Sequence, residues 1–196
     1  SKSILRRFAK VFEQTYTRFL DLQKAEAREQ EAIKQSSLDR VRAEIASMRS
    51  SEDLNRITPL VWKELNTLGV PFFRCGVFIV DEPAEIVHLH LSTPTGEPLA
   101  ALEISINRTD ILLIPEMLGH WRSQTSYRSD WSKEEFVAFT KSMIELGQIK
   151  NPETYQRGRE APERLALHLA WFRQGMLYVG NTIPLSEDQM ELVESL

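Results

Sequence analysis

The stretch FRCGVFIVDEPAEIVHLHLS, Phe73 to Ser92, decides the fold. Phe73 to Asp81 is β-branched and aromatic, and Glu85 to Ser92 alternates apolar with polar residues at the two-residue period of a strand. The turn between them, Asp81 to Pro83, is too short for a crossover, so the two strands pair antiparallel. After the turn residues Thr95, Gly96, Glu97 and Pro98, a third strand is predicted over Leu99 to Ile106, again closing antiparallel.

Downstream, Leu112 to Trp121 reads as a short helix with Pro115 near its first turn and Gly119 near its end. Ser123 to Trp131 is expected to be irregular or a short extended segment. Ser132, Lys133, Glu134 and Glu135 have the spacing of a capping box, in which the Ser oxygen and the Glu carboxylate satisfy each other's backbone N–H groups. The helix it opens turns Phe136, Phe139, Met143 and Leu146 inward and ends at Gly147. Gln148 to Pro162, polar and with two Pro and one Gly, is the expected mobile loop. Arg164 to Phe172 and Met176 to Gly180 form a last hairpin around Gln174 and Gly175, and Ser186 to Gln189 is a second capping box.

Upstream, Ile4 to Met48 contains no Pro and no Gly and reads as one charged helix. Leu5, Phe8, Phe12, Phe19 and Leu22 fall on alternating steps of three and four, with Thr15 at the missing position, the spacing of a coiled-coil seam. The stripe fades between Gln23 and Ser37 and returns out of phase as Leu38, Val41, Ile45 and Met48. A phase break of this kind locally unwinds or overwinds a coil. About 45 residues at 1.5 Å each reach roughly 65 Å, longer than a domain of this size is wide, so a homodimer through this helix is expected. The competing reading packs the first seam on the chain's own domain. Ser50, Ser51, Glu52 and Asp53 then mark a second helix with Leu54, Ile57, Val61, Leu65 and Leu68 on one face, ending at Gly69. Pro59 implies a kink in it or a fresh start with Thr58 as cap.

These elements describe an α+β domain with an antiparallel five- to six-stranded sheet flanked by helices and preceded by a long coiled-coil-like helix. Its expected divisions are 1–48 for the long helix, 50–184 for the sheet domain and 185–196 for the start of a next helix. With 42% hydrophobic residues in 196, the chain supports one core plus the helical extension. Net charge is −4 and positive charges alternate with negative ones along the first helix, which speaks against nucleic acid as a partner. The single cysteine excludes an internal disulfide framework and fits a reducing, cytoplasmic setting. No apolar run approaches the roughly 18 residues of a membrane span. A start at Ser-Lys and an end inside a new helix suggest an excised fragment.

Taken in order, FAKVFEQTYTRFLDLQKAEA (Phe8 to Ala27), LDRVRAEIASM (Leu38 to Met48), RCGVFIVDE (Arg74 to Glu82), the Trp121 helix with the Ser132 box after it, and PERLALHLAWFRQGMLY (Pro162 to Tyr178) resemble the GAF-like domains, with attached helical linkers, of bacterial signalling proteins such as sensor histidine kinases and nucleotide cyclases. The resemblance implies a tandem array in which a segment like Ile183 to Leu196 runs into one like Ile4 to Leu22, with a period of 188 residues, the offset from Ile4 to Leu192. It implies neighbouring repeats and an output domain as partners. It also implies a small-molecule cavity on one sheet face, bordered by Arg74, Glu103, His120, Trp121, Tyr127, Arg128 and Trp131. Such a lining suits a planar or anionic ligand. In the competing reading Trp121 and Trp131 are core anchors and the cavity is closed. No cofactor is identified.

His88 and His90, two apart on a strand, have a spacing found in metal sites, and His120 and His168 are the other histidines. No acidic or Cys ligand is placed to complete a shell, so partly exposed structural histidines are the expectation. Cys75 in the first strand reads as a small buried hydrophobe. P-loop, nucleophile-elbow and zinc-helix motifs are lacking, so no catalytic residue is assigned and an enzyme ranks third. A sensory or relay module ranks first, and a structural dimerisation or spacer repeat with no ligand ranks second.

Overall fold

The computed structural model describes residues 2–47, 53–93, 95–150 and 160–196. In chain order its elements are α1 (Lys2–Ser47), α2 (Leu54–Thr67), β1 (Arg74–Asp81), β2 (Ile86–Ser92), β3 (Pro98–Ser105), α3 (Leu113–Arg122), β4 (Tyr127–Ser132), α4 (Lys133–Glu145), β5 (Arg164–Phe172), β6 (Gly175–Asn181) and α5 (Glu187–Glu194). The strands form one six-stranded sheet in the order β3-β2-β1-β6-β5-β4, and all neighbours pair antiparallel. The α+β class follows, with all the predicted hairpins present. Tyr127 to Ser132, within and just beyond the segment expected to be irregular or short and extended, is a regular edge strand. Its sequence, YRSDWS, hides the strand because the outward positions are polar and only one neighbour, β5, pairs with it.

Alternation along the strands builds two cores. Phe78, Leu89, Leu102, Leu167 and Tyr178 point to the side covered by α3 and α4. Cys75, Val77, Ile79, Leu177 and Val179 point to the other, against α2, α5 and the last turns of α1. The two capping boxes form as expected, Ser132 with Glu135 on α4 and Ser186 with Gln189 on α5. Gly69 and Gly147 take the left-handed conformation just past α2 and α4. α2 runs unbroken through Pro59, without the fresh start at Thr58. Its apolar stripe, Leu54, Ile57, Val61 and Leu65, is fully buried, and that burial outweighs the hydrogen bond that Pro59 does not donate.

α1 spans 46 residues, or about 70 Å, and it is two things at once. From Ser37 onward one face is buried, with Leu38, Val41 and Ile45 shielded inside the chain's own fold. Val41 and Ile45 share a core with α2 and the sheet, so this seam, expected to belong to the dimer helix, is covered by the chain's own domain. Periodicity shows that a face needs cover and does not say whose. Two ion pairs, Arg40 with Glu64 and Glu44 with Arg56, join α1 to α2 in antiparallel order. By contrast Phe8, Phe12, Phe19 and Leu22 are exposed, with Val11 and Tyr16 beside them. Met48 and the helix-start residues Ser50, Ser51 and Glu52 lie outside the described residues, as does 151–159 of the predicted loop.

Between β2 and β3 the chain turns over Trp62 of α2. Gly96 has φ +78°, and a Cβ there would stand 2.9 Å from the Trp62 ring. Gly69 has a similar φ of +70° with open space around it. Gly96→Ala is therefore expected to lose about 2 to 3 kcal/mol of stability and Gly69→Ala only about 1 kcal/mol. Urea unfolding followed by tryptophan fluorescence measures both. Equal losses would show that Trp62 yields freely and that the turn is not packed on α2.

Candidate functional site

The apolar side under α3 and α4 contains a small cavity. Arg74 and Phe78 of β1, Leu89 and Leu91 of β2, Leu165 and Leu167 of β5 and Tyr178 of β6 form its floor, and Leu113, Trp131, Phe136 and Phe139 form its roof. Arg74 is buried at 3% exposure, an unusual place for a guanidinium. Its charge lies 5.0 Å from the Phe73 ring centre and 4.9 Å from that of Phe136, where the negative faces of both rings attract it. Tyr178 stacks on Phe78 at 5.3 Å. Gly180 makes room for the Tyr178 hydroxyl, since a Cβ there would stand 2.1 Å from it. The cavity measures about 20 Å³, the space of one water molecule.

A wider cleft of about 160 Å³ adjoins it at the surface, lined by Asp110, Ile111, Leu112, Glu135, Ala138 and Ser142. Leu113, Trp131 and Phe139 line both spaces and form the wall between them. Trp131 and Phe139 pack ring to ring at 5.3 Å. Arg74 is buried beside this narrow space, which has room for about one water molecule. Movement of the Trp131 or Phe139 ring would join the cleft to the cation behind it, a space suited to a planar or anionic group.

Of the seven residues expected around a pocket, only Arg74 and Trp131 line this cavity. Glu103 and Arg128 belong to the opposite sheet face. Glu103 lies 3.4 Å from His88 across the β2–β3 pair, and Arg128 makes a two-pronged ion pair with Glu187 of α5. Both sit one position out of the required alternation, which the strand register decides. His120, Trp121 and Tyr127 are on the right side but gather elsewhere. The His120 and Tyr127 rings are 5.1 Å apart, and the Trp121 indole N–H donates to the Phe172 carbonyl at 3.3 Å. Phe78, Phe136, Phe139 and Tyr178 were not among the expected lining. Their aromatic content was the available signal, masked because every one also reads as core.

The histidines do not converge. His88 and His90 project from β2 on the α2 side, His168 projects from β5 on that side with β1 and β6 between, and His120 belongs to α3 on the other. Among the described residues no three His, Cys, Asp or Glu side chains gather as a metal site. His168 is buried and holds a fixed tautomer: Nε2 accepts the Leu185 N–H at 3.1 Å, so Nδ1 carries the proton and donates to the Val179 carbonyl at 3.2 Å. It thereby ties β5, β6 and the approach to α5 together. Burial, the largest influence, pushes its imidazole below the ordinary range. Arg128 acts the same way, and the Val179 carbonyl and Asp130 oppose. Comparison with protein-family models, curated proteins and solved structures finds no match for this chain.

A lowered value means that the fold prefers neutral His168. Its contribution is fully present above the ordinary imidazole value near pH 6.5 and is lost as pH falls through the lowered one. His168→Gln keeps a donor and an acceptor without titrating. Urea midpoints across pH 4 to 8 are expected to fall more steeply on the acid side for the natural protein than for this variant. Parallel curves would remove His168 from the acid response.

Proposed function

We propose that this chain is a non-enzymatic sensory or relay and dimerisation module of a multidomain bacterial signalling protein, working in the cytoplasm. The observation that carries the reading is the division of α1. Its last turns are built into the core of the sheet domain, and its first half presents Phe8, Phe12, Phe19 and Leu22, 52 to 72% exposed, at seam spacing. Exposed aromatic residues in such a stripe need a partner, and a second copy of the same helix supplies an identical seam. A change in the domain that shifts α2 would then be felt by the arm through the Arg40–Glu64 and Glu44–Arg56 pairs. Such a relay needs only two packings that differ by a few kcal/mol. The six-stranded antiparallel sheet with helices on both faces is compatible with the GAF-like resemblance, and a signal molecule would enter beside Arg74 only once the Trp131 or Phe139 ring moves. Among the described residues no helix is long and apolar enough to cross a membrane. The second reading, a spacer without ligand or switching, draws support from the small volume of that cavity, about 20 Å³.

Light scattering on the full chain and on Phe12→Glu/Phe19→Glu distinguishes the sources of association. A dimer is expected for the natural chain and a monomer for the variant, with the sheet domain still folded, since both positions are exposed. A monomer in both cases, or a dimer in both, would sink the arm as interface. Relay and spacer separate by spin-label distances between Gln30→Cys copies in the dimer. Burial pushes the Cys75 thiol up to about 12, so the native cysteine stays unlabelled. Two distance populations support a relay, and one unchanging distance supports the spacer.

A further inference from the structure

The exposed face of α1 is wider than its seam. Phe8, Phe12, Thr15, Phe19 and Leu22 hold the seam positions, and Val11 and Tyr16, five steps apart, border it on either side, about 140° from each other around the helix. The Phe12 and Tyr16 rings lie nearly parallel, with 4° between their planes and 6.1 Å between their centres, so Tyr16 extends the apolar surface alongside the seam. Thr15 is the polar member of the seam. Its hydroxyl donates to the Val11 carbonyl at 2.9 Å, which lets it enter a dry interface with its hydrogen bond already made. Arg7 and Lys10 fall outside the apolar arc and do not face each other across a pair. The four aromatic side chains, each worth about 150 to 250 Å² when buried, are more than half exposed here. Two arms therefore have on the order of 1,000 Å² to bury, the size at which a specific pair becomes stable.

We infer that the arms of two copies pair parallel and in register along Phe8 to Leu22 and part at Glu26. The inference rests on the arm being the dimer interface, and it adds the direction, register and end of the contact. Direction follows from the two flanks. In a parallel pair a residue on one flank meets the partner's residue five positions on, across the seam. Val11 then meets the partner's Tyr16, apolar against apolar, on both sides of Phe12. An antiparallel pair brings like flanks together and, with Phe8 opposite the partner's Phe19, sets Val11 against the partner's Arg18. The end of the contact follows from the seam itself. Its alternation of three and four steps continues from Leu22 to Glu26 and Glu29, both exposed. In register each carboxylate faces its own copy in the partner, and like charges held that close repel. From Glu26 to the docked turns beyond Ser37 the two helices run apart, each with its own sheet domain.

Oxidation of the full chain carrying Leu22→Cys, with copper phenanthroline, reads direction and register, because Leu22 is exposed and its loss leaves the domain core intact. A disulfide-linked dimer is expected, since the seam sets Leu22 beside the partner's Leu22. The antiparallel pair would hold these two positions roughly 25 Å apart. Cys75 is buried, so the natural chain is expected to stay unlinked. Glu29→Cys, beyond the fork, is expected to link at least about tenfold more slowly than Leu22→Cys. Glu26→Gln/Glu29→Gln removes the repulsion and is expected to tighten the dimer about three- to tenfold in sedimentation equilibrium. A natural chain that is monomeric by light scattering would overturn the arm as interface, and this inference with it. Three results in a dimer would overturn the parallel, forked pairing alone: no link in Leu22→Cys, a link in Glu29→Cys that forms as fast, or a Glu26→Gln/Glu29→Gln dimer no tighter than the natural one.

Discussion

Strand β1 is buried on both faces, and the rest of the molecule follows from that. Cys75, Val77 and Ile79 on one side need cover as much as Phe78 does on the other, and its neighbour β6 has the same requirement through Leu177 and Val179. An antiparallel sheet commonly leaves one face to water. This one does not, so helices must be found for both. α3 and α4 follow β3 and β4 in the chain and close one side. For the other side the fold recruits α2, α5 and the last turns of α1, segments that flank the domain in sequence. The last turns of α1 and α5 are thus bound to the same sheet face, and the arm cannot be separated from the domain by cutting between α1 and α2 without opening a core.

The strands were legible because alternation over seven or eight residues leaves little choice of period, and the capping boxes because a Ser three residues before Glu or Gln specifies its own hydrogen bonds. β4 was less so, since an edge strand with Arg128, Asp130 and Ser129 has no apolar alternation to show. Register was the harder quantity. A shift of one residue moves a side chain to the other face, and Glu103 and Arg128 went to the wrong side of the expected pocket for that reason alone. Arg74, one residue from Cys75, went to the right side and is the polar group that the cavity encloses.

Several polar groups held inside the described part of the domain are answered by a neighbour. His168 is saturated by two backbone groups and works as a fastener between strands and α5. Glu64, fully buried on α2, meets Arg40 of α1, and a carboxylate in that position is tolerable only with a cation beside it. Arg74 rests against two aromatic faces. Among the described residues the Thr58 hydroxyl has no hydrogen-bond partner.

The geometry of α1 constrains how two copies can meet. At 3.6 residues per turn, the 19 steps from Phe19 to Leu38 place them about 100° apart around the helix, as do those from Leu22 to Val41. The exposed stripe therefore does not continue the docked one. It leaves the helix on a different side, away from α2, so a second α1 can lie along Phe8 to Leu22 without displacing the sheet domain. In such a pair each domain hangs off the side of its own helix, and rotation of the helix about its axis and movement of α2 become the same motion. Every residue that fixes α2, including Glu64 against Arg40 and Trp62 under Gly96, then also fixes the rotational setting of the arm.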